Sequence, residues 1–484
     1  MAAPERFSPP PSSRRGRRAL LRVPWGGVTL AAMEPLDGLP PAQRWRALAT
    51  LGISVGVAVL DSAIANIALP SIAADLQVTP AASIWVVNAY QMAVIAALLP
   101  CASLGDIYGY RRVYACGLAL FTAASLGCAL SPSLPVLALA RAVQGLGGAG
   151  IMSVNTALIR FIFPRAQLGR GMGINALIVA TSSAIGPSVA AGILSVAHWP
   201  WLFAVNVPLG LLALALVRTL PRTQPAGHRF DFASAAMNAA TFILFISALG
   251  GVAHGQPAAT VALQFAGAAV VGFFFVRRQI ALPAPMLPVD LFRRPIFALT
   301  VATSVCSFLA QTSAYVALPF LLEVALGRSQ VATGLMMTPW PLAVGLVAPV
   351  AGRLADRFPA GILGGVGLAV MTAGLAMLLF LPADPTGWQV GWRMALSGAG
   401  FALFQAPNNR QMIGSVPRER SGAGSGMLST ARLLGQTTGA AMVAVLFGLT
   451  ETGGVGQGAR AALVLAIGCS LAGAVCSTLR LVRR

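Results

Sequence analysis

The sequence predicts an all-α integral membrane protein with fourteen spanning helices, on three observations. Of 484 residues, 57% are hydrophobic and only 10% charged, against about 25% charged in a soluble domain. That is too little polar side chain to cover a water-exposed globule. The apolar residues also run in stretches of about 20, the length that crosses a bilayer as a helix. Finally, arginines are dense in every second gap between those stretches and scarce in the others.

The elements follow in order. Residues 1–44 are expected to be a disordered cytoplasmic tail: the basic run Arg14–Arg22 lies among Pro and Ser, and Leu20–Val23 is far too short for a signal-peptide core. Met33 opens a shorter plausible chain. Spans are then placed at 47–69, 83–104, 112–130, 133–156, 169–195, 200–218, 232–252, 258–276, 296–322, 329–352, 360–380, 389–408, 423–449 and 459–480. Pro and Gly inside them are tolerated because neighbouring helices satisfy freed backbone groups, and the 52 glycines suit close helix packing. With the N-terminus in the cytoplasm, Arg111, Arg112, Arg160, Arg165, Arg277, Arg278, Arg353, Arg357, Arg418 and Arg420 fall in cytoplasmic loops. The opposite loops hold little beyond Arg328 and Arg460. Positive charge is retained on the cytoplasmic side, so both termini are predicted cytoplasmic.

The formal charge of +20 does not indicate nucleic-acid binding: all 33 basic residues are Arg, and they sit between apolar stretches rather than on one soluble face. The six cysteines lie in apolar segments with no CxxC, which supports neither disulfides nor a metal site. Arg-only usage with abundant Ala and Gly suggests a GC-rich bacterial genome, hence the bacterial cytoplasmic membrane.

A weak internal repeat organises the spans. LGDIYGYRR follows the second and AGRLADRF the tenth, which sets Asp106 against Asp356; Arg141 roughly matches Arg393, and Gly148 matches Gly400. Two six-helix halves, 45–218 and 296–484, with two extra helices in 219–295, fit this spacing. Such repeats are common in transporters that alternate access around a central site.

Four segments resemble the fourteen-helix drug:proton antiporter branch of the major facilitator superfamily. They are LDSAIANIALPSIAADL around Asp61; LGDIYGYRRV, with Asp106, Gly109, Arg111 and Arg112 matching; LARAVQGLGGAG, with Arg141, Gln144 and Gly145; and IGPSVAAGILS, with Gly186 and Pro187. Departures are Ala102 and Ile107 in the second segment, and in the fourth Ser182 for an earlier Gly and Ala191-Gly192 for a Gly pair. The resemblance implies the superfamily's fold, and export of small amphipathic compounds in exchange for protons, driven by the proton gradient with no cofactor, by a monomer.

The candidate sites each carry two readings. A carboxylate in lipid costs on the order of several kcal/mol unless paired or protonated. Asp61 and Arg141 both lie about 12 Å from the outer ends of their spans at 1.5 Å rise per residue, so they pair if helices one and four adjoin, as the resemblance implies. A guanidinium favours the charged carboxylate and desolvation opposes it, which can couple protonation to conformation; the alternative is a purely structural partner to Asn66 or Arg141. Asp106 with Arg111 and Arg112, and Asp356 with Arg357, read as charge locks of a cytoplasmic gate or as tight turns. Pro359 stands where the first turn has Gly109. Gly186, Pro187 and Gly192 read as an outer-gate bend or as ordinary packing. Asn66, Asn88, Tyr90, Gln91, Gln144, Asn155, Gln311, Tyr315, Trp340, Gln405, Asn408, Asn409 and Gln436 are candidate liners of a substrate cavity, where aromatic faces beside amides suit amphipathic drugs or lipophilic cations; singly, each also reads as an inter-helix hydrogen bond. Arg393 and Arg432 must face protein or water, and no carboxylate lies near the midplane of spans seven to fourteen.

No phosphate-binding loop, metal-ligand cluster or Ser/His/Asp set is present in the sequence, so the protein is not expected to be an enzyme or to carry a metal. Besides export, proton-coupled uptake of a metabolite and a non-transporting receptor or scaffold remain open; buried charge argues against the last.

Overall fold

Inside hydrocarbon every backbone N–H and C=O must be satisfied within the chain, and each apolar stretch meets this as a helix. The computed structural model describes residues 37–484 apart from 79–82, 84, 225–228, 254–255, 284, 329, 383, 451–454 and 483–484. The side chains of Asn66 and Pro187 also lie outside the description. Among the described residues there is no strand. In the first half the long helices are α1 (Pro41–Asp75), α2 (Trp85–Tyr108), α3 (Tyr110–Ala129), α4 (Leu134–Ile162), α5 (Leu168–Leu194) and α6 (Pro200–Thr219). The linking pair is α7 (Phe232–Ala253) and α8 (Ala258–Ala281). The second half has α9 (Pro295–Pro319), α10 (Ala332–Ala355), α11 (Ala360–Leu379), α12 (Gly387–Gly414), α13 (Ser421–Leu449) and α14 (Val455–Val482).

Among the described residues, eleven of these are long and apolar enough to cross a membrane. The other three, α5, α12 and α13, carry polar groups that face protein rather than lipid, such as Asn175, Gln405, Asn409 and Arg432, which meet in the interior. The expected tail boundary at residue 44 shifts: α1 begins at Pro41, and just ahead of it Asp37 accepts from Arg165 N at 3.0 Å and from Arg418 Nη2 at 2.6 Å. Residues 1–36 lie outside the described residues. The first span also runs past 69 to Asp75, whose Oδ2 accepts from Trp199 Nε1 at 2.7 Å. Beyond Pro319, α9 widens into one π-helical turn, Phe320–Ala325, the usual response to a lost backbone donor.

The repeat seen in the sequence is realised in the packing. In the first half α4 packs on α2 and α3, and α6 on α1 and α3; in the second, α12 packs on α10 and α11, and α14 on α9 and α11. The halves meet along two seams, α5 against α10 and α2 against α13, with α4 also touching α13. Glycine sets the close approaches: a Cβ on Gly147 would fall 2.5 Å from Phe121 N, and one on Gly400 2.4 Å from Met371 N. Neither backbone can yield, so Gly147→Leu and Gly400→Leu are each expected to lower stability by about 1–3 kcal/mol or more. Gly468→Leu, with open space around it, is the control. Thermal unfolding in detergent checks this, and equal stability of all three variants would contradict it.

The α7–α8 pair packs against both α2 and α13 and so runs along one seam. At its base Arg278 donates through Nε and Nη2 to Asp231, each at 3.0 Å, and holds that carboxyl down to about 2. The depressed value means that the clip is fully formed above the ordinary carboxylate range and is lost as pH falls toward about 2.

Candidate functional site

Asp61 and Arg141 are brought together as the sequence anticipates, with each side chain 1% exposed and Arg141 Nη1 2.6 Å from Asp61 Oδ2. Five helices build the site. Asp61 on α1 also accepts from Gln144 Nε2 on α4 at 3.0 Å and from Asn206 Nδ2 on α6 at 2.6 Å. Arg141 donates from Nε to the Val86 carbonyl on α2 at 3.0 Å and from Nη1 to Gln144 Oε1 at 2.6 Å, while Gln144 Nε2 donates to Ser125 Oγ on α3 at 2.8 Å. The guanidinium lies 4.4 Å from the Tyr90 ring centroid and 5.5 Å from that of Phe203, a favourable place for a cation. The pair is thus desolvated, and its carboxylate takes three donors.

Asn206 was not singled out in the sequence; the signal available was an amide in the apolar run FAVNVPLG. Asn206→Leu removes a hydrogen bond to a buried charge and is expected to cost about 1.5–3 kcal/mol, read as a lower melting temperature in detergent; an unchanged melt would contradict that assignment.

At the end of the bundle that carries the arginine-rich loops, the halves are latched twice. Asp106, at the end of α2, accepts from Gly422 N at 2.9 Å and Ala423 N at 3.3 Å at the N-terminus of α13, and from Tyr110 Oη at 2.5 Å. Asp356, after α10, accepts from Gly169 N at 2.8 Å and Arg170 N at 3.1 Å at the start of α5, with Arg410 Nε 3.4 Å away. A carboxylate at a helix N-terminus meets unsatisfied N–H groups and the positive end of the helix dipole. The glycines are required: a Cβ on Gly422 would lie 2.5 Å from Asp106 Oδ1, and one on Gly169 2.6 Å from Asp356 Oδ1. Arg160 adds a third tie, donating to the Val416 carbonyl at 2.8 Å and Ser421 Oγ at 2.9 Å.

This corrects the expected charge locks. Among the described residues Asp106 forms no ion pair with Arg111 or Arg112, and Arg112 and Arg357 are exposed. The partner is a helix end of the opposite half. Gly109 does make the turn, with φ +91, whereas Pro359 makes its counterpart with an ordinary φ of −57 as the cap of α11.

The candidate cavity liners separate. A central cavity between the halves is lined by Val55, Val59, Met152, Asn155, Thr156, Asn175, Ala176, Val179, Phe308, Gln405, Asn409, Leu428, Ser429 and Arg432. Of the expected liners Asn155, Gln405 and Asn409 are among them. Tyr90 and Gln144 belong to the buried charge network. Asn88 and Gln91 line a second, lateral cavity with Gln256 and Gln264 of the α7–α8 pair and Thr437 of α13. Tyr315 and Trp340 pack edge to face at 5.2 Å in the core of the second half, where their apolar area is buried. Asn408 turns away from the cavity: its Oδ1 accepts from buried Arg480 Nη1 at 2.9 Å and its Nδ2 donates to Ser304 Oγ at 2.8 Å. Gln311 is half-buried on α9 and lines neither cavity. Gly186 is buried, but Gly192 has open space where a Cβ would sit, so close packing does not require that glycine. Among the described residues no group of acidic, His and Cys side chains could hold a metal.

Two repeated helical halves, meeting along two seams and enclosing a polar cavity beside a buried ion pair, define a membrane transporter. The chain belongs to the Major Facilitator Superfamily, whose family model matches residues 51–440. It is 57% identical over 434 residues to the uncharacterized transporter YebQ of Escherichia coli, covering 89% of this chain and 95% of that one. It is 33% identical over 412 residues to the multidrug resistance protein Stp of Mycobacterium tuberculosis, covering 82% and 74%. Among solved structures, the superfamily proton:xylose symporter XylE matches with TM-score 0.63 at 14% identity, covering 89% of this chain and 95% of that chain. That last likeness concerns the fold alone. The relatives and the fold are those of transporters, not enzymes.

Proposed function

We propose that the protein exports small amphipathic compounds in exchange for protons. It acts as a monomer that crosses the bacterial inner membrane fourteen times, with both termini in the cytoplasm. The observation that carries this reading is the buried Asp61–Arg141 pair, enclosed by Gln144, Asn206 and Tyr90. A proton on Asp61 cancels the charge that holds Arg141 and the two amides in place, so protonation and the packing of α1 on α4 and α6 are linked. Arginines at the latched end support its assignment to the cytoplasm; with that side closed, Asp61 can take up a proton only by opening toward the outside. Similarity to Stp supports export of multiple compounds.

The test is uptake of a fluorescent amphiphile into inside-out vesicles containing the protein. Accumulation is expected when the lumen is acid and should collapse with the proton gradient. Accumulation that survives the collapse would refute proton exchange.

A further inference from the structure

The central cavity is lined by one charged side chain, and among the described residues that side chain has no anionic partner. Arg432 on α13 lines it. Its guanidinium donates from Nη2 to Met152 Sδ at 3.7 Å, and its Nε is buried without a partner. A thioether is a weak acceptor. Every ion pair among the described residues lies elsewhere, and Asp61 is taken up by Arg141, Gln144 and Asn206. The other polar liners, including Asn175, Gln405 and Asn409, are neutral amides or hydroxyls.

We infer that this cavity is a binding site for amphipathic monoanions, with Arg432 as the group that receives a carboxylate, sulfonate or similar head. The inference rests on the export reading and gives it a substrate class. A guanidinium presents five donors, and in a low-dielectric site it is costly without an acceptor. A ligand anion supplies that acceptor, and water does so when the site is empty. The amide groups of Gln405 and Asn409 offer further donors, and Phe308, Val59 and Val179 are the apolar residues beside them; at about 50 Å³ the cavity takes an anionic head, and a ring or chain enters only as the halves part further. The occupied cavity is then neutral, which favours carrying it through a closed, dehydrated state. A cation in the same place would face an uncompensated like charge.

The test is calorimetric binding to the purified full-length protein of two probes built on the same rings: 2-naphthalenesulfonate, a monoanion, and 2-naphthyltrimethylammonium, a cation. The anion is expected to bind at least about ten-fold more tightly. Arg432→Gln should lower its affinity by about ten-fold or more, the loss of a charge-assisted contact, and Arg432→Lys should retain part of it. Ser429→Glu places a carboxylate three residues away on the same helix face; it should exclude the anion with Arg432 still present, and it decides the matter if Arg432→Gln does not fold. An anion affinity no better than the cation's, including binding of neither, overturns the inference, as does unchanged anion binding in both variants. Transport separates this result from the export reading. Anion binding without gradient-driven movement counts against proton exchange and leaves the anion site standing. Gradient-driven movement of the cation alone upholds exchange and overturns the anion site.

Discussion

Asp61→Asn is expected to reduce gradient-driven export to background while the protein still reaches the membrane. The substitution keeps the volume and removes the only charge opposite Arg141 in a site where both side chains are 1% exposed. Stranding one member of a buried ion pair costs about 3–5 kcal/mol, so the variant should also melt at a lower temperature. The second substitution in the pair separates stability from coupling. Adding Arg141→Gln to Asp61→Asn removes the stranded cation and should recover most of the lost stability, because a neutral amide cluster with Gln144 and Asn206 replaces it. Export should not return, because no group remains to carry the proton. Gradient-dependent export by Asp61→Asn at equal abundance would sink the assignment, and a double variant no more stable than the single one would show that Arg141 has another acceptor.

The double variant Asp106→Asn/Asp356→Asn is expected to open the latched end. Each carboxylate accepts two backbone N–H groups from a helix start in the opposite half. Such charged hydrogen bonds are worth about 1.5–3 kcal/mol each, and an amide can retain part of that. A combined loss of about 3–5 kcal/mol shifts a two-state equilibrium by roughly a hundred- to several thousand-fold. Spin labels at Arg112 and Arg357, exposed positions on opposite halves, would report it as a population at longer distance. Either single variant should give a partial shift. If the double variant keeps the wild-type distance distribution, the two aspartates stabilise local turns and do not hold the halves together.

The apolar helices and the Asp61–Arg141 pair were legible in the sequence for one shared reason. Charge in hydrocarbon is so costly that its few positions are informative without coordinates. Asn206 escaped notice because an amide costs little enough to occur anywhere in a helix. The partners of Asp106 escaped because they are backbone groups, and residue types do not announce a backbone donor; only Gly169 and Gly422 hinted at it, in the matching runs GRGMG and GAGSG. The direction in which a side chain points within a polar helix was not legible either. Asn408 and Asn409 are neighbours, yet one meets Arg480 and the other faces the cavity.

The two latches cross: the first half's aspartate caps a helix of the second half, and the second half's aspartate caps the corresponding helix of the first. This is the reciprocal contact of a two-fold symmetric dimer, in which residue i of one copy meets j of the other and j meets i. A single half carries both the acid and its receptor, so a duplicated ancestor would already have been self-complementary at this end. The offset that superposes Asp106 on Asp356 also superposes Asp61 on Gln311, so only one copy keeps a carboxylate at that position. Symmetry is thus kept at the latched end of the molecule and broken at its buried charged centre.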